Sequence, residues 1–303
     1  LTFSAFGMYQ FDRQDATLLL ATSRLFGWRA RSSLYGFYSR DLFRDDAGKE
    51  ILAINDVQGF SADQRWRVRG LQIVYGYRFA RSRTFDPKPG NDPFPLDFVS
   101  NLATLSTAAL WDRRNDPLSP IKGTFSSASL DHAASWLGSD VRNRKLLLQQ
   151  YAFVPFGRVV FASRAQWGKK FGPDPLFLDD RFQAGGSTTV RGYGEDSLGP
   201  RDTRGLPLGG EALLVLNQEV RFPVYRWVHA VSFIDAGSIP GRDEAFNWNE
   251  VRIGYGAGLR FATPVGMLRV DFGIPGSTVP GATTREANSL RGGRWYFGIG
   301  HIF

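Results

Sequence analysis

Three features of the chain predict an all-β fold of the transmembrane antiparallel β-barrel class. Apolar residues alternate with polar residues or glycine at period two along most of its length, no stretch repeats at the helical period, and long connections alternate with short turns. The alternation is clearest at 251–261, where Val251, Ile253, Tyr255, Ala257, Leu259 and Phe261 stand opposite Arg252, Gly254, Gly256, Gly258 and Arg260. A soluble β-sandwich alternates too, so the connections arbitrate. Short turns at one rim and long loops at the other are the pattern of a membrane barrel.

Taken in order, fourteen strands are expected near 2–11, 16–26, 33–40, 52–62, 68–80, 102–112, 123–133, 145–154, 158–168, 211–222, 229–237, 250–262, 266–274 and 294–303. After a short first link come a long acidic stretch at 44–50, a Pro-rich one at 81–97 and the much longer 170–210. Brief turns at 116–123, 155–158, 222–227 and 263–266 are interleaved with the later long connections. In the fifth strand Leu71, Ile73, Tyr75, Tyr77 and Phe79 face away from Gln72, Gly76 and Arg78; in the thirteenth Leu268, Val270 and Phe272 oppose Met267, Arg269, Asp271 and Gly273. Across 211–222 the even positions are mostly apolar, and Glu211, Asn217, Glu219 and Arg221 share the other face. Trp111, Trp136, Trp167, Trp227 and Trp295 fall near strand ends, where an amphipathic ring suits a membrane interface. The closing strand carries Trp295, Phe297, Ile299, His301 and the terminal Phe303 on one face, against Tyr296, Gly298, Gly300 and Ile302. Ile253 is expected to face lipid near mid-strand.

Composition narrows the function. With 14% aromatic and 22% charged residues the chain is too apolar for disorder, and 303 residues suit one large barrel as well as two domains. The absence of cysteine excludes a disulfide framework, a thiolate metal site and a cysteine nucleophile. His132, His229 and His301 are too scattered for a metal or catalytic site. The net charge of +8 comes from arginines spread along the chain without a basic run, which suits a polar interior or anionic headgroups rather than nucleic acid. No apolar run approaches the roughly 18 residues of a membrane helix. The Gly254–Gly258 run lies inside an alternating strand with no helix after it, so it is not a nucleotide loop, and no nucleophile elbow, phosphate loop or paired-carboxylate spacing supports an enzyme. No cofactor or metal is called for.

The run from Phe182 to Pro200, with Val190-Arg191-Gly192-Tyr193 at its centre, resembles the loop motif of the BamA/TamA superfamily of outer-membrane assembly and translocation barrels. So do, in order, Asp112–Pro117 with Pro120 and Gly123, the strand Gly209–Pro223, Phe233-Ile-Asp-Ala-Gly237, and Thr263–Gly266 with Arg269, Asp271 and the closing strand. The resemblance covers 102–303; the earlier strands match without specificity. It implies sixteen strands with the motif loop between the eleventh and twelfth. Five strand candidates follow the loop here and nine precede it, so two strands and the family's periplasmic POTRA domains are expected to lie upstream or to be absent, a closed fourteen-strand barrel being the alternative. The expected organisation is one barrel domain over 1–303, with 170–210 an extracellular loop that folds into the lumen.

The length of that loop marks it as functional. Gly185, Gly186, Gly192 and Gly194 allow it to fold back and carry Arg191 inward, where a guanidinium requires a carboxylate. The resemblance implies Asp235 as that partner, on the face shared by Phe233 and Gly237, and Glu219 and Arg221 extend the network. Gly254, Gly256, Gly258, Gly298 and Gly300 form a side-chain-free floor for the loop tip and Tyr193. Two roles are open for the loop, a stiffening plug and direct handling of substrate. The function implied is insertion of outer-membrane proteins by a barrel whose first and last strands part, the closing strand (Trp295, Phe297, Gly298, Ile299, Gly300, Phe303) templating the incoming strand. Secretion through the lumen and a passive porin are the alternatives. The implied partners are outer-membrane lipid and lipopolysaccharide, nascent outer-membrane or secreted polypeptides, and periplasmic or inner-membrane accessory proteins, in the bacterial outer membrane; nucleic acid is excluded.

Overall fold

The computed structural model describes residues 1–9, 13–22, 30–44, 51–87, 97–176, 180–201, 207–242, 244–263, 266–277 and 293–300. It holds β1 (Thr2–Tyr9), β2 (Arg13–Thr22), β3 (Arg31–Arg44), β4 (Ile51–Val68), β5 (Leu71–Phe85), β6 (Asp97–Asp112) and β7 (Gly123–Ala133). These are followed by β8 (Asn143–Phe156), β9 (Val159–Phe171), β10 (Ala212–Tyr225), β11 (Val228–Ser238), β12 (Arg252–Thr263), β13 (Gly266–Pro275) and β14 (Arg294–Ile299). Successive strands are hydrogen-bonded neighbours in one fourteen-stranded sheet. All fourteen expected strands are present. Two compact units divide the chain: 1–109 with 129–144 and 172–174, and 110–128 with 145–171 and 175–303.

In the first unit β4 runs six residues further than expected, to Val68, and β5 begins at Leu71 rather than near 68. They meet at a two-residue turn, Arg69–Gly70, in which both residues have positive φ, 47° and 86°. That is the backbone of the tight hairpin turns whose twist matches the flanking strands. Trp66 and Val68 continue the alternation of β4, and Val68 pairs with Leu71. On one face of β3–β5 lie the exposed Leu34, Phe60, Ile73 and Tyr75. The other carries Ser33, Asp63 and Gly76, with Arg78 stacked on Phe37 at 4.9 Å.

The second unit shows why the sequence turns where it does. Between β6 and β7, Asp112 accepts from Arg114 at 2.9 and 2.8 Å, and Asn115 Oδ1 accepts from the backbone N–H groups of Ile121 and Lys122 at 3.0 and 2.9 Å. Two-residue links join β8 to β9, β10 to β11 and β12 to β13, while the long segments 172–211, 239–251 and 276–293 leave the other end of the sheet. Along β10 the odd positions Leu213, Val215, Asn217, Glu219 and Arg221 are buried, whereas Leu216 and Phe222 are exposed. The charged face is the inner one. Arg191, Glu219, Asp235, Arg260 and Asp271 are all 0% exposed, while Ile234 is 51% and Ile299 74% exposed. In water this inversion would forfeit about 1.5–3 kcal/mol per large apolar side chain left unburied. In hydrocarbon it is the stable arrangement, and the soluble-sandwich reading is set aside by it.

Two expectations are corrected. Ile253 is exposed on the apolar face but is only the second residue of β12, so the strand's middle falls near Ala257. The closing strand ends at Ile299, because Gly300 leaves it with φ 87° and its N–H bonds the Met267 carbonyl at 2.6 Å. His301, Ile302 and Phe303 lie outside the described residues, as does the acidic stretch 45–50.

Candidate functional site

The segment 172–211 is tied down before it reaches the site. At its base Lys170 and Glu211 pair at 3.0 Å, and Phe182 and Gly210 exchange backbone hydrogen bonds at 2.9 Å each way. Beyond that bridge Phe182, Ala184, Val190, Tyr193 and Leu198 pack on Leu213 and Val215 of β10 and on Ile239. The apolar contacts fix the loop against the sheet. Thr189 Oγ, accepting from the Gly185 N–H and donating to the Gly185 carbonyl, both at 2.8 Å, closes the turn that presents Arg191.

Arg191 enters a cluster assembled from four strands. Its Nε and Nη2 donate to the two oxygens of Asp235 on β11 at 2.7 and 3.0 Å, a bidentate pair, and its own backbone N–H adds a third bond to that carboxylate at 3.1 Å. Nη1 reaches Glu219 on β10 at 2.8 Å and Asp271 on β13 at 3.4 Å. Arg260 on β12 donates to both oxygens of Asp271 at 2.5 and 3.2 Å and to Glu219 at 3.4 Å, and Arg221 donates to Glu219 at 2.9 Å. Asn217 donates to Asp235 at 2.7 Å. Three arginines meet three carboxylates by direct contact, and the buried Arg164 and Arg269 lie within electrostatic reach of the same groups. The Arg191 guanidinium also lies 3.4 Å from the centre of the Phe233 ring. Burial alone would lower its pKa, but Asp235, then Glu219 and Asp271, outweigh that and raise it.

The expected glycine floor is present in part, and each glycine clears a particular group. A Cβ at Gly254 would overlap the Arg191 carbonyl oxygen, one at Gly256 would come 2.6 Å from the Phe233 ring, and one at Gly258 would overlap the Asp271 carboxylate. Gly237 makes room for Val190, whose Cγ2 would be 2.5 Å from a Cβ there. Gly298 instead lies beneath Arg269, and nothing approaches Gly300, so these two are not part of the floor. Gly192, with φ 100°, sits against the backbone of Ile274 and Pro275.

Asn217, Arg260, Asp271, Gly273 and Tyr296 are site residues absent from the expected set. The alternation could have found them. Each falls on the inner face by parity, and the register sets Gly258 opposite Asp271, the space that carboxylate occupies. Tyr296 makes the most consequential contact: its hydroxyl accepts from Gly192 N–H at 2.8 Å and donates to the Tyr193 carbonyl at 2.6 Å. The Tyr193 hydroxyl lies 3.0 and 2.9 Å from the carbonyl oxygens of Ile253 and Ser277. The loop tip thus touches β14 itself. Trp295, Phe297 and Ile299 point to the opposite, exposed face.

An antiparallel sheet with charge inside and exposed apolar residues outside defines a membrane β-barrel. The chain belongs to the Omp85 superfamily, whose domain matches residues 23–303. It is 26% identical over 212 residues to a SAM50-like protein of Schizosaccharomyces pombe, covering 58% of this chain and 43% of that one. The outer membrane protein assembly factor BamA of Nitratidesulfovibrio vulgaris is 31% identical over 141 residues, 44% of this chain and 16% of its own. The chloroplastic outer envelope protein 39 of Arabidopsis thaliana is 33% identical over 158 residues, 45% and 38% respectively. The chain therefore spans less than half the length of each of these relatives. In fold it is similar to BamA from Haemophilus ducreyi lacking POTRA domains 1–3, with a TM-score of 0.78 at 15% identity over 92% of this chain and 62% of that one.

Proposed function

We propose that this chain is the barrel of a factor that inserts proteins into a bacterial outer membrane, opening between its first and last strands to receive the incoming one. In this reading 172–211 is an external loop turned into the lumen, and Phe233, Asp235, Gly237, Glu219 and Arg221 are its anchor. The observation that carries the proposal is the contact of the loop tip with the closing strand, Gly192 and Tyr193 on Tyr296. Through it the state of the clasp at Arg191 bears directly on the strand that would part. The short β14 supports the same reading, since a brief edge strand with a glycine at Gly298 pairs weakly. The name of one matched relative, the outer membrane protein assembly factor BamA, agrees with it.

The chain has no cysteine, so single cysteines report without background. Ile299→Cys should crosslink to a nascent barrel protein carrying a cysteine in its own last strand. Crosslinks formed only from an inner position such as Arg252→Cys would replace insertion with secretion through the lumen. A passive porin would give neither.

A further inference from the structure

We infer that one end of the β3–β4–β5 hairpin set is a docking site for an acidic polypeptide segment. Arg31 and Arg65 are direct partners in the β3–β4 register, so both project from the same face, and Arg67 follows two residues along on that face. Arg69 occupies the adjoining turn. All four are exposed. Like charges directly opposite each other destabilise a strand pair, and nothing among the described residues offsets them. Among the described residues Arg67 donates to Gln72 alone, at 3.2 Å. Asp63, the nearest carboxylate on that face, accepts from Ser61 instead, at 3.2 Å.

Further along the same strands two arginines do have carboxylate partners. Arg40 is held by Asp56 at 2.6 Å and Arg83 by Asp97 at 2.9 Å. Arg78 is stacked on Phe37 and Arg81 has no carboxylate partner among the described residues, so what distinguishes this end is the direct pairing of two arginines, Arg31 with Arg65, flanked by two more.

The occupant follows from which way they point. Trp66 and Val68 alternate with Arg65 and Arg67 and lie on the apolar face with Leu34, Leu71 and Ile73. A lipid headgroup would meet that apolar face. The arginines project to its opposite, the side on which Asp63 and Arg78 lie, so they meet whatever passes the sheet end in water: a chain segment rich in Asp and Glu, bound by several guanidinium–carboxylate pairs. The inference rests on the barrel reading of this face but not on the assembly activity.

The test uses the full chain folded in nonionic detergent and a fluorescent glutamate-rich peptide, with a glutamine peptide of equal length as the neutral control. Anisotropy should show binding of the first only, weakening as salt rises. The variant R31Q/R65Q/R67Q should bind about tenfold more weakly. It should fold at least as well as the parent, since it removes a repulsion, and unheated gel mobility checks this. The control R144Q/R158Q/R226Q removes as much charge from exposed sites elsewhere and should bind like the parent. Equal binding of both peptides, an equal loss in the control, or no loss in the hairpin variant would overturn the inference. So would a dependence on these arginines seen only for anionic phosphatidylglycerol vesicles, which would assign the site to lipid phosphate. Peptide binding requires no assembly activity, so failure of either reading leaves the other measurable.

Discussion

Replacing Arg191 by Met keeps the length of the side chain and removes its charge. The structure assigns the loss. Asp235 gives up its bidentate partner and keeps Asn217 and one backbone N–H, whereas Glu219 retains Arg221 and Arg260, and Asp271 retains Arg260. Three carboxylates then face two arginines inside a fully buried cluster. Breaking a buried pair in this way costs about 3–5 kcal/mol, because the surviving charge has no water to turn to. Asp235→Leu alone should cost a similar amount by leaving Arg191 in excess. The double variant R191M/D235L removes both members of the bidentate pair and should lose less than the sum of the two, by about 1–3 kcal/mol. Two assays read the effect: protease cleavage within 172–211 for the folded protein in detergent, and the temperature at which unheated gel mobility is lost. Strict additivity of the two changes would refute the assignment of Asp235 as the partner of Arg191.

Other outcomes follow from the same geometry. Arg191→Lys should recover only part of the loss, because one ammonium cannot span both oxygens of Asp235 and also reach Glu219; retention of full protease resistance would contradict this. Gly254→Ala and Gly273→Ala should loosen the loop, since a Cβ overlaps the Arg191 carbonyl oxygen in the first and comes within 2.6 Å of Gly192 N in the second. Gly36→Ala, with nothing within 4 Å, should leave protease resistance unchanged. Ile234→Arg, in the middle of β11 on the exposed face, should cost about 2–4 kcal/mol in a bilayer, and Ile253→Arg, near a strand end, about 0–1 kcal/mol. Equal effects, measured by reversible folding into lipid vesicles, would mean that the apolar face does not cross hydrocarbon.

Much of this architecture was legible because period-two alternation assigns each side chain to a face before any contact is known. The fourteen strands, the inner position of Glu219 and Arg221, and the outward Trp295 and Phe297 all follow from it. Strand ends were less legible. β4 continues to Val68, past the expected end near 62, because Trp66 and Val68 carry its alternation on between Arg65, Arg67 and Arg69. Asp235 as partner of Arg191 came from resemblance, since no local pattern joins residues so far apart in sequence. Arg260 and Asp271 were on the right face, but only the register shows that Gly258 leaves room for the Asp271 carboxylate. The floor was overextended to Gly298 and Gly300 because parity says nothing of distance along the sheet.

If the tip of the 172–211 segment is seated on the charged inner face of β10–β13, a cysteine pair across that boundary will report it. Val190 and Gly237 are in close contact across that boundary, and V190C/G237C places two thiols there in a chain without others. In membranes under mild oxidation this pair should form a disulfide seen as a shift in gel mobility, and V190C/I234C, whose second cysteine lies on the apolar face, should not. No bond in the first pair, or equal bonding in both, would contradict it.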